Sequence, residues 1–134
     1  MTRFNDAQQA ELSSLIGRPI PGPYLELMAN YPAELNRPYP GVPELISEFE
    51  LAADPQAVIR LNQMVREEDI WTEEGPWPTH LLVIGEEIGG DLAALNLDEP
   101  GFPVERLLHE VAKFKRVAAN LTDYIKLLNA IGAH

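Results

Sequence analysis

The stretch at residues 77–98 constrains the fold most strongly, because two short apolar runs in it flank a glycine pair. The first run, at residues 81–84, is unbroken, and the second, at residues 92–97, ends with leucine alternating with polar residues. Short apolar runs on either side of Gly89-Gly90 predict a β-hairpin, since such turns need the positive φ angles that glycine tolerates. We expect this hairpin at the centre of a sheet, and because the first run is apolar at consecutive positions, its strand should be buried on both faces.

Apolar residues at helical spacing predict four helices, at residues 6–16, 23–30, 55–68 and 121–132. Each has a plausible start or stop signal, since small polar residues cap helix N-termini, glycine ends helices and proline fits only the first turn. These signals are Asn5 or Asp6, Gly17, Pro23, Pro32, Asp54-Pro55, Asn120 with Asp123, and Gly132.

The segments between the helices are rich in proline and glycine. Residues 32–43 are assigned no regular structure, residues 45–51 could form a strand, and residues 67–78 and 99–103 are predicted as a loop and a turn. Residues 104–114 are ambiguous, although Val104, Leu107, Leu108 and Val111 fit the helical period.

The charge of the chain is strongly negative and unevenly distributed. The net charge is −11, and residues 61–110 alone hold 12 acids and 2 bases. A surface of this kind repels nucleic acid and anionic membranes and attracts a basic protein, although acidity also serves solubility alone.

Composition excludes several other classes of protein. There is no cysteine, which excludes disulfides and thiolate zinc sites. No apolar run approaches the roughly 20 residues of a spanning helix, and the first residues do not resemble a secretory signal. We therefore expect one domain at residues 1–134 in a cytoplasmic protein.

Catalytic patterns are not evident. No serine lies in a Gly-x-Ser-x-Gly turn and no His-x-x-x-His pair occurs. Glu86, Glu87 and Asp91 would repel a phosphate from the nearby glycines. His80, beside the first strand, is expected to be a structural residue. The sequence thus predicts a protein that is not an enzyme and holds no metal or cofactor.

Acids that surround aromatic residues form the candidate partner-binding site. Such a pattern suits a basic protein partner, because acids steer the encounter and tryptophan supplies contact area. Trp77 is expected to cover the core, whereas Trp71 fits either the core or an interface. The predicted partner-binding residues are Glu67, Glu68, Asp69, Trp71, Glu73, Glu74, Glu86, Glu87 and Asp91.

Three stretches resemble the SUKH superfamily in their order and spacing. They are PGPYLELM at residues 21–28, IG at 84–85 with GGD at 89–91 and LD at 97–98, and VAANLTDYI at 117–125. The chain departs from the family's pattern at Asn30-Tyr31, where Asn-Gly is usual.

This resemblance carries expectations about fold and function. It implies an α+β fold, with helices around a small, mostly antiparallel sheet that has the central hairpin at about residues 81–97, and a further strand at residues 104–109. The superfamily includes bacterial immunity proteins of polymorphic toxin systems and yeast regulators of cell-wall synthesis of the Smi/Knr type. It therefore implies a module that binds and neutralises a toxin such as a basic nuclease, or alternatively a regulatory domain that binds a cellular protein.

Overall fold

The fold is α+β, as predicted, and within the described residues four helices pack about a four-stranded antiparallel sheet. The computed structural model describes residues 3–35, 51–68, 70–87 and 90–132. The helices are α1 (Asp6–Ile16), α2 (Gly22–Ala29), α3 (Pro55–Glu67) and α4 (Leu121–Gly132), with a 3₁₀ turn at Ala33–Leu35. The strands are β1 (Trp71–Thr72), β2 (Gly75–Pro76), β3 (Leu81–Glu86), β4 (Leu92–Asn96), β5 (Val104–Leu108) and β6 (Lys113–Ala118).

Helix ends follow the capping residues in the sequence. Asn5 and Gln8 form a reciprocal capping box at the start of α1, and Gly17 ends that helix in the left-handed region at φ 74°. At α3, the Asp54 side chain accepts a hydrogen bond from a backbone N–H of the first turn, where Pro55 also lies. The predicted helix boundaries are therefore accurate to about one residue.

The sheet has the order β3-β4-β5-β6, and every neighbouring pair is antiparallel. The predicted hairpin consists of β3 and β4, and Gly90 in its turn has a φ of 108°. In the described part of the chain, β3 is the outermost strand of this sheet and β4 lies inside it. The prediction that β3 is buried is confirmed, and α3 covers its outer edge, where Asn62 hydrogen-bonds to Val83.

Both faces of the sheet are covered, which explains the unbroken apolar run in β3. On one face, Leu82 and Ile84 belong to a core shared with α1, α2 and α4. On the other face, Leu81 and Val83 pack with the end of α3 and with Trp77. Trp77 is 6% exposed and its ring lies 5.7 Å from that of Phe114 in an edge-on arrangement, so its predicted place in the core is confirmed.

The structure shows which secondary structure the ambiguous residues 104–114 form, and it corrects the predictions for two further segments. Val104–Leu108 is a strand, so the helical period of that region was misleading. Strand β6 was not predicted, and it includes Val117 and Ala118, the first two residues of the last stretch that resembles the family. Residues 67–78 are not simply a loop, because β1 and β2 form a small antiparallel hairpin there.

Some predictions fall on residues outside the described ranges. Of the proline-rich loop, Ala33–Leu35 forms the 3₁₀ turn and residues 36–43 lie outside. Residues 45–50 of the predicted strand also lie outside, whereas Leu51 is buried at a bend. None of the described helices is long and apolar enough to cross a membrane.

Candidate functional site at the acidic end of the sheet

Two hairpin turns meet at one end of the sheet. Strands β3 and β5 run in the same direction, since each is antiparallel to β4, so the β3–β4 and β5–β6 turns share an end. This end contains a depression of about 480 Å³. Its lining residues are Glu87, Asp91, Leu108, His109, Glu110 and Val111. We call this region the acidic end.

Asp91 and His109 join the two turns. One carboxylate oxygen of Asp91 accepts a hydrogen bond from the backbone N–H of His109 at 3.1 Å and lies 2.5 Å from the ring Nδ1. The first turn is closed by its own backbone, because the N–H of Gly90 donates to the carbonyl of Glu87. The two turns are thus held in a fixed relation by one acid and one imidazole.

The electrostatics of this pair favour its charged form. The hydrogen bond to Asp91 raises the pKa of His109 above 6.5, with further contributions from the charges of Asp91, Glu110 and Glu87 that outweigh desolvation. Burial alone would raise the pKa of Asp91, but hydrogen bonds from His109 and the positive charges of His109 and Arg106 lower it overall.

Glu73 brings the β1–β2 hairpin to the same end. Its backbone N–H donates to the carbonyl of Ala112 at 2.7 Å, and its carboxylate accepts from the N–H of Phe114 at 3.1 Å. The neighbouring Glu74 is exposed, as is Glu110. Neither side chain forms an ion pair with a described residue.

An exposed apolar side chain lies among these acids. Val111, in the β5–β6 turn, is 57% exposed, and no other large hydrophobic side chain in the described ranges is classed as exposed. An exposed apolar group surrounded by acids can contact the aliphatic stem of a lysine or arginine whose charged head meets a carboxylate.

The opposite end of the sheet has a different charge balance. There, Arg116 pairs with both Glu99 and Glu105, and Arg18 pairs with Asp98 at 2.7 Å. His80 also lies at that end: its carbonyl accepts from Leu97, and its Nδ1 lies 4.0 Å from Asp98. His80 is thus held at that end by its backbone, a structural role of its side chain stays a prediction, and arginines balance the acids.

The structure divides the predicted partner-binding residues into two groups. Glu67 and Glu68 are exposed at the end of α3, which lies beside β3. Arg66, next to Glu67, donates to the carbonyl of Leu81 at the start of β3, so this group lies away from the β3–β4 turn. The acidic end brings together the remaining predicted acids, which are Glu73, Glu74, Glu86, Glu87 and Asp91.

Two of the predicted partner-binding residues, Asp69 and Trp71, cannot be assigned to either group. Asp69 lies outside the described ranges, and of Trp71 only the backbone is described, paired with Pro76 in the small hairpin. A role of Trp71 as an interface anchor therefore stays a prediction.

Three residues of the acidic end were missed as partner-binding candidates, namely His109, Glu110 and Val111. Their segment was expected to be a strand that ends at residue 109, and a turn next to it offers no motif. The sequence did show acids in two places, at the glycine turn between the first two strands and at the end of the strand near residue 109. Only the order of the strands in the sheet shows that these two places lie together. In the described ranges, no group of three or more His, Asp or Glu residues is arranged to hold a metal ion.

Comparison with known proteins places the chain in a family. No curated protein and no solved structure has significant similarity to it. A family model described as "SMI1 / KNR4 family (SUKH-1)" matches residues 4–127, which is nearly the whole chain and includes every strand and the acidic end. The chain therefore belongs to the SMI1 / KNR4 family (SUKH-1), as the order of its motifs had indicated.

Proposed function

We propose that this protein is a non-catalytic binding module that acts as an immunity protein and neutralises a cognate toxin domain with a basic surface. Family membership supports a module of the immunity or regulatory type. The observation that carries the choice of a basic partner is the convergence of two turns and the Glu73 hairpin at the acidic end, around Val111.

The acidic end has the properties of a protein-docking surface. Its acids would raise the rate of encounter with a basic domain, because long-range attraction acts before contact. Val111 would then be desolvated on contact, which slows dissociation. The Asp91–His109 pair fixes the two turns beforehand, so that little conformational entropy is lost on binding.

A basic nuclease domain is the partner class that we favour. A nuclease binds a polyanion, so its active surface must be positive, and a rigid acidic surface can occupy it in place of the nucleic acid. This mode of inhibition needs neither a nucleophile nor a metal in the immunity protein, in keeping with the prediction that this chain is not an enzyme.

Co-expression with the product of the neighbouring gene tests the proposal. We expect that product to stop growth when produced alone in a bacterial host, and this protein to restore growth and to co-purify with it. A variant with Glu74→Lys and Glu110→Lys should protect less well, whereas one with Glu67→Lys and Glu68→Lys should protect normally. A neighbouring product that is harmless yet binds this protein would instead support a regulatory domain, and one that does not bind would refute the proposed pairing.

A further inference from the structure

A second concave site lies away from the acidic end. It is a cleft of about 520 Å³ between the C-terminal ends of α1 and α3 and the segment that leads into β3. This volume falls within the roughly 300–1,000 Å³ range of small-molecule sites. Its walls combine apolar side chains with two arginines, and the residues that matter here are Leu15, Arg18, Arg66, Ile70, Pro76 and Trp77.

Arg66 is held rigidly in this cleft. Its Nη1 donates to the side-chain oxygen of Asn62 at 2.9 Å, and its Nη2 donates to the carbonyl of Leu81 at 2.9 Å. The indole N–H of Trp77 donates to the same carbonyl at 3.0 Å. The guanidinium therefore lies next to the indole, and its orientation is fixed before any ligand arrives.

Part of the hydrogen-bonding capacity of this guanidinium is not used by the described residues. The Nε–H of Arg66 donates to none of them, and no carboxylate among them lies within 4.0 Å of its nitrogens. Burial lowers the pKa of Arg66 to about 10, as expected for a cation that has lost water without gaining an opposite charge. The Nε–H and one hydrogen of Nη2 thus have no acceptor among the described residues, and a carboxylate can accept from such donors.

We propose that this cleft binds an organic carboxylate, with the two oxygens on Arg66 and an apolar body against Leu15, Ile70 and Pro76. Arg18 also lines the cleft, but its guanidinium is already paired with Asp98. The cleft is separate from the acidic end, and its ligand is negatively charged whereas the partner at the acidic end is basic. This proposal can therefore fail without affecting the proposed immunity function, and the reverse also holds.

Titration with hexanoate tests this site. Hexanoate has one carboxylate and a short apolar chain, and hexanamide and hexylamine have the same chain with neutral and positive heads. Trp71→Phe leaves Trp77 as the only tryptophan, because the chain has two. We expect hexanoate to change Trp77 emission saturably and to move the Arg66 Nε–H signal in ¹H–¹⁵N NMR spectra, and hexanamide to do neither.

Matched arginine variants identify the residue responsible. Arg66→Gln should weaken hexanoate binding about tenfold or more. Arg60→Gln removes the same charge from an exposed position on the same helix and should leave binding unchanged. If Arg66→Gln does not fold, the wild-type protein still tests the proposal. The chemical-shift changes that hexanoate causes in its NMR spectra should then be confined to Leu15, Arg66, Ile70 and Trp77. The proposal is overturned if hexanoate shifts none of these signals, if hexanamide binds equally well, or if hexylamine binds in its place, which would mark a site for cations at two helix C-termini.

Discussion

The side-chain amide of Asn62 occupies the place of a neighbouring strand along Val83. Its Nδ2 donates to the carbonyl of Val83 at 2.9 Å, and its Oδ1 accepts from the N–H of Val83 at 2.9 Å. The remaining capacity of the amide is used by Val58 and Arg66. Asn62 and Val83 are both fully buried, so this amide satisfies backbone groups of β3 that water cannot reach.

Replacing Asn62 should therefore destabilise the fold strongly. Asn62→Leu leaves the N–H and the carbonyl of Val83 buried without partners, and we expect a loss of about 3 kcal/mol or more in the free energy of unfolding. Urea denaturation followed by circular dichroism measures this. Gln63→Leu changes the next amide on the same helix, where it is partly exposed, and should cost under about 0.5 kcal/mol. Equal midpoints for the two variants would show that Asn62 does not stabilise the edge of β3.

A buried tyrosine gives the opposite prediction. Tyr24 is fully buried, and its hydroxyl makes no hydrogen bond to any described residue. Burial also raises its pKa, since a charged phenolate could not be solvated there. Tyr24→Phe removes this unsatisfied group and keeps the ring next to Phe4, so stability should stay equal or rise by about 1 kcal/mol. Phe4→Leu changes the contact between the two rings but keeps the hydroxyl, so it measures the contribution of ring packing alone. A clear loss of stability in Tyr24→Phe would mean that the hydroxyl has a stabilising partner.

The glycine in the β3–β4 turn is required by its backbone conformation. At a φ of 108°, a β-branched residue is strained, and a Cβ on Gly90 would also lie 3.5 Å from the His109 ring. Gly90→Val should cost about 1–3 kcal/mol in the free energy of unfolding. Gly22 is the matched control, because a Cβ there meets nothing within 4 Å and its φ is not positive. If both valine variants melt at the wild-type temperature, the turn does not constrain the hairpin.

The Asp91–His109 pair should make stability depend on pH. Because the pKa of His109 is raised in the folded state, its stabilising contribution is complete below about pH 6.5 and is lost as pH rises through the folded pKa. The pKa of Asp91 is lowered, so its contribution is complete above about pH 3.8 and is lost on acidification. Melting temperatures of the wild type should thus fall from pH 6 to 9, and His109→Gln should fall less steeply. His80→Gln changes a histidine at the other end of β3 and should keep the wild-type slope.

Local patterns predicted the elements whose ends carry their own signals. Asn5, Gly17 and Asp54-Pro55 fix helix boundaries through short-range hydrogen bonds and restricted φ angles, which act within a few residues. The β3–β4 hairpin was equally local, since its strands are adjacent in the chain and joined at Gly90.

Strand β6 and the position of β3 depend on distant parts of the chain. Four of the six side chains in β6 are charged or small, so it has no apolar run, and it forms a strand because β5 and Glu73 supply hydrogen-bonding partners. The apolar face of α3 contains Asn62 at a core position, which looks like an exception in the sequence. Its purpose appears only when β3 lies beside it.

The candidate site was predictable in composition but not in arrangement. The acids of residues 61–110 are evident in the sequence. Their separation into a group at the end of α3 and a group at the acidic end follows from packing, because α3 ends beside the start of β3 whereas Glu73 lies at the β5–β6 turn. Spacing along the chain therefore overestimates how close these acids are.

Binding kinetics should show which acidic group docks the partner. With the neighbouring gene product immobilised for surface plasmon resonance, Glu74→Lys with Glu110→Lys should slow association several-fold and flatten its dependence on salt. Glu67→Lys with Glu68→Lys makes the same change in charge at the end of α3 and should have a much smaller effect. All four side chains are exposed, so both double variants should melt near the wild-type temperature.

Val111 should act at a different step of the same reaction. Val111→Ala removes apolar contact area without changing charge, so association should be unchanged and dissociation about fivefold faster, which corresponds to about 1 kcal/mol. At 57% exposure, this change should hardly affect folding. If instead the Glu67 and Glu68 variant slows association and the Val111 variant dissociates at the wild-type rate, the partner docks at the end of α3, and the acidic end serves only solubility.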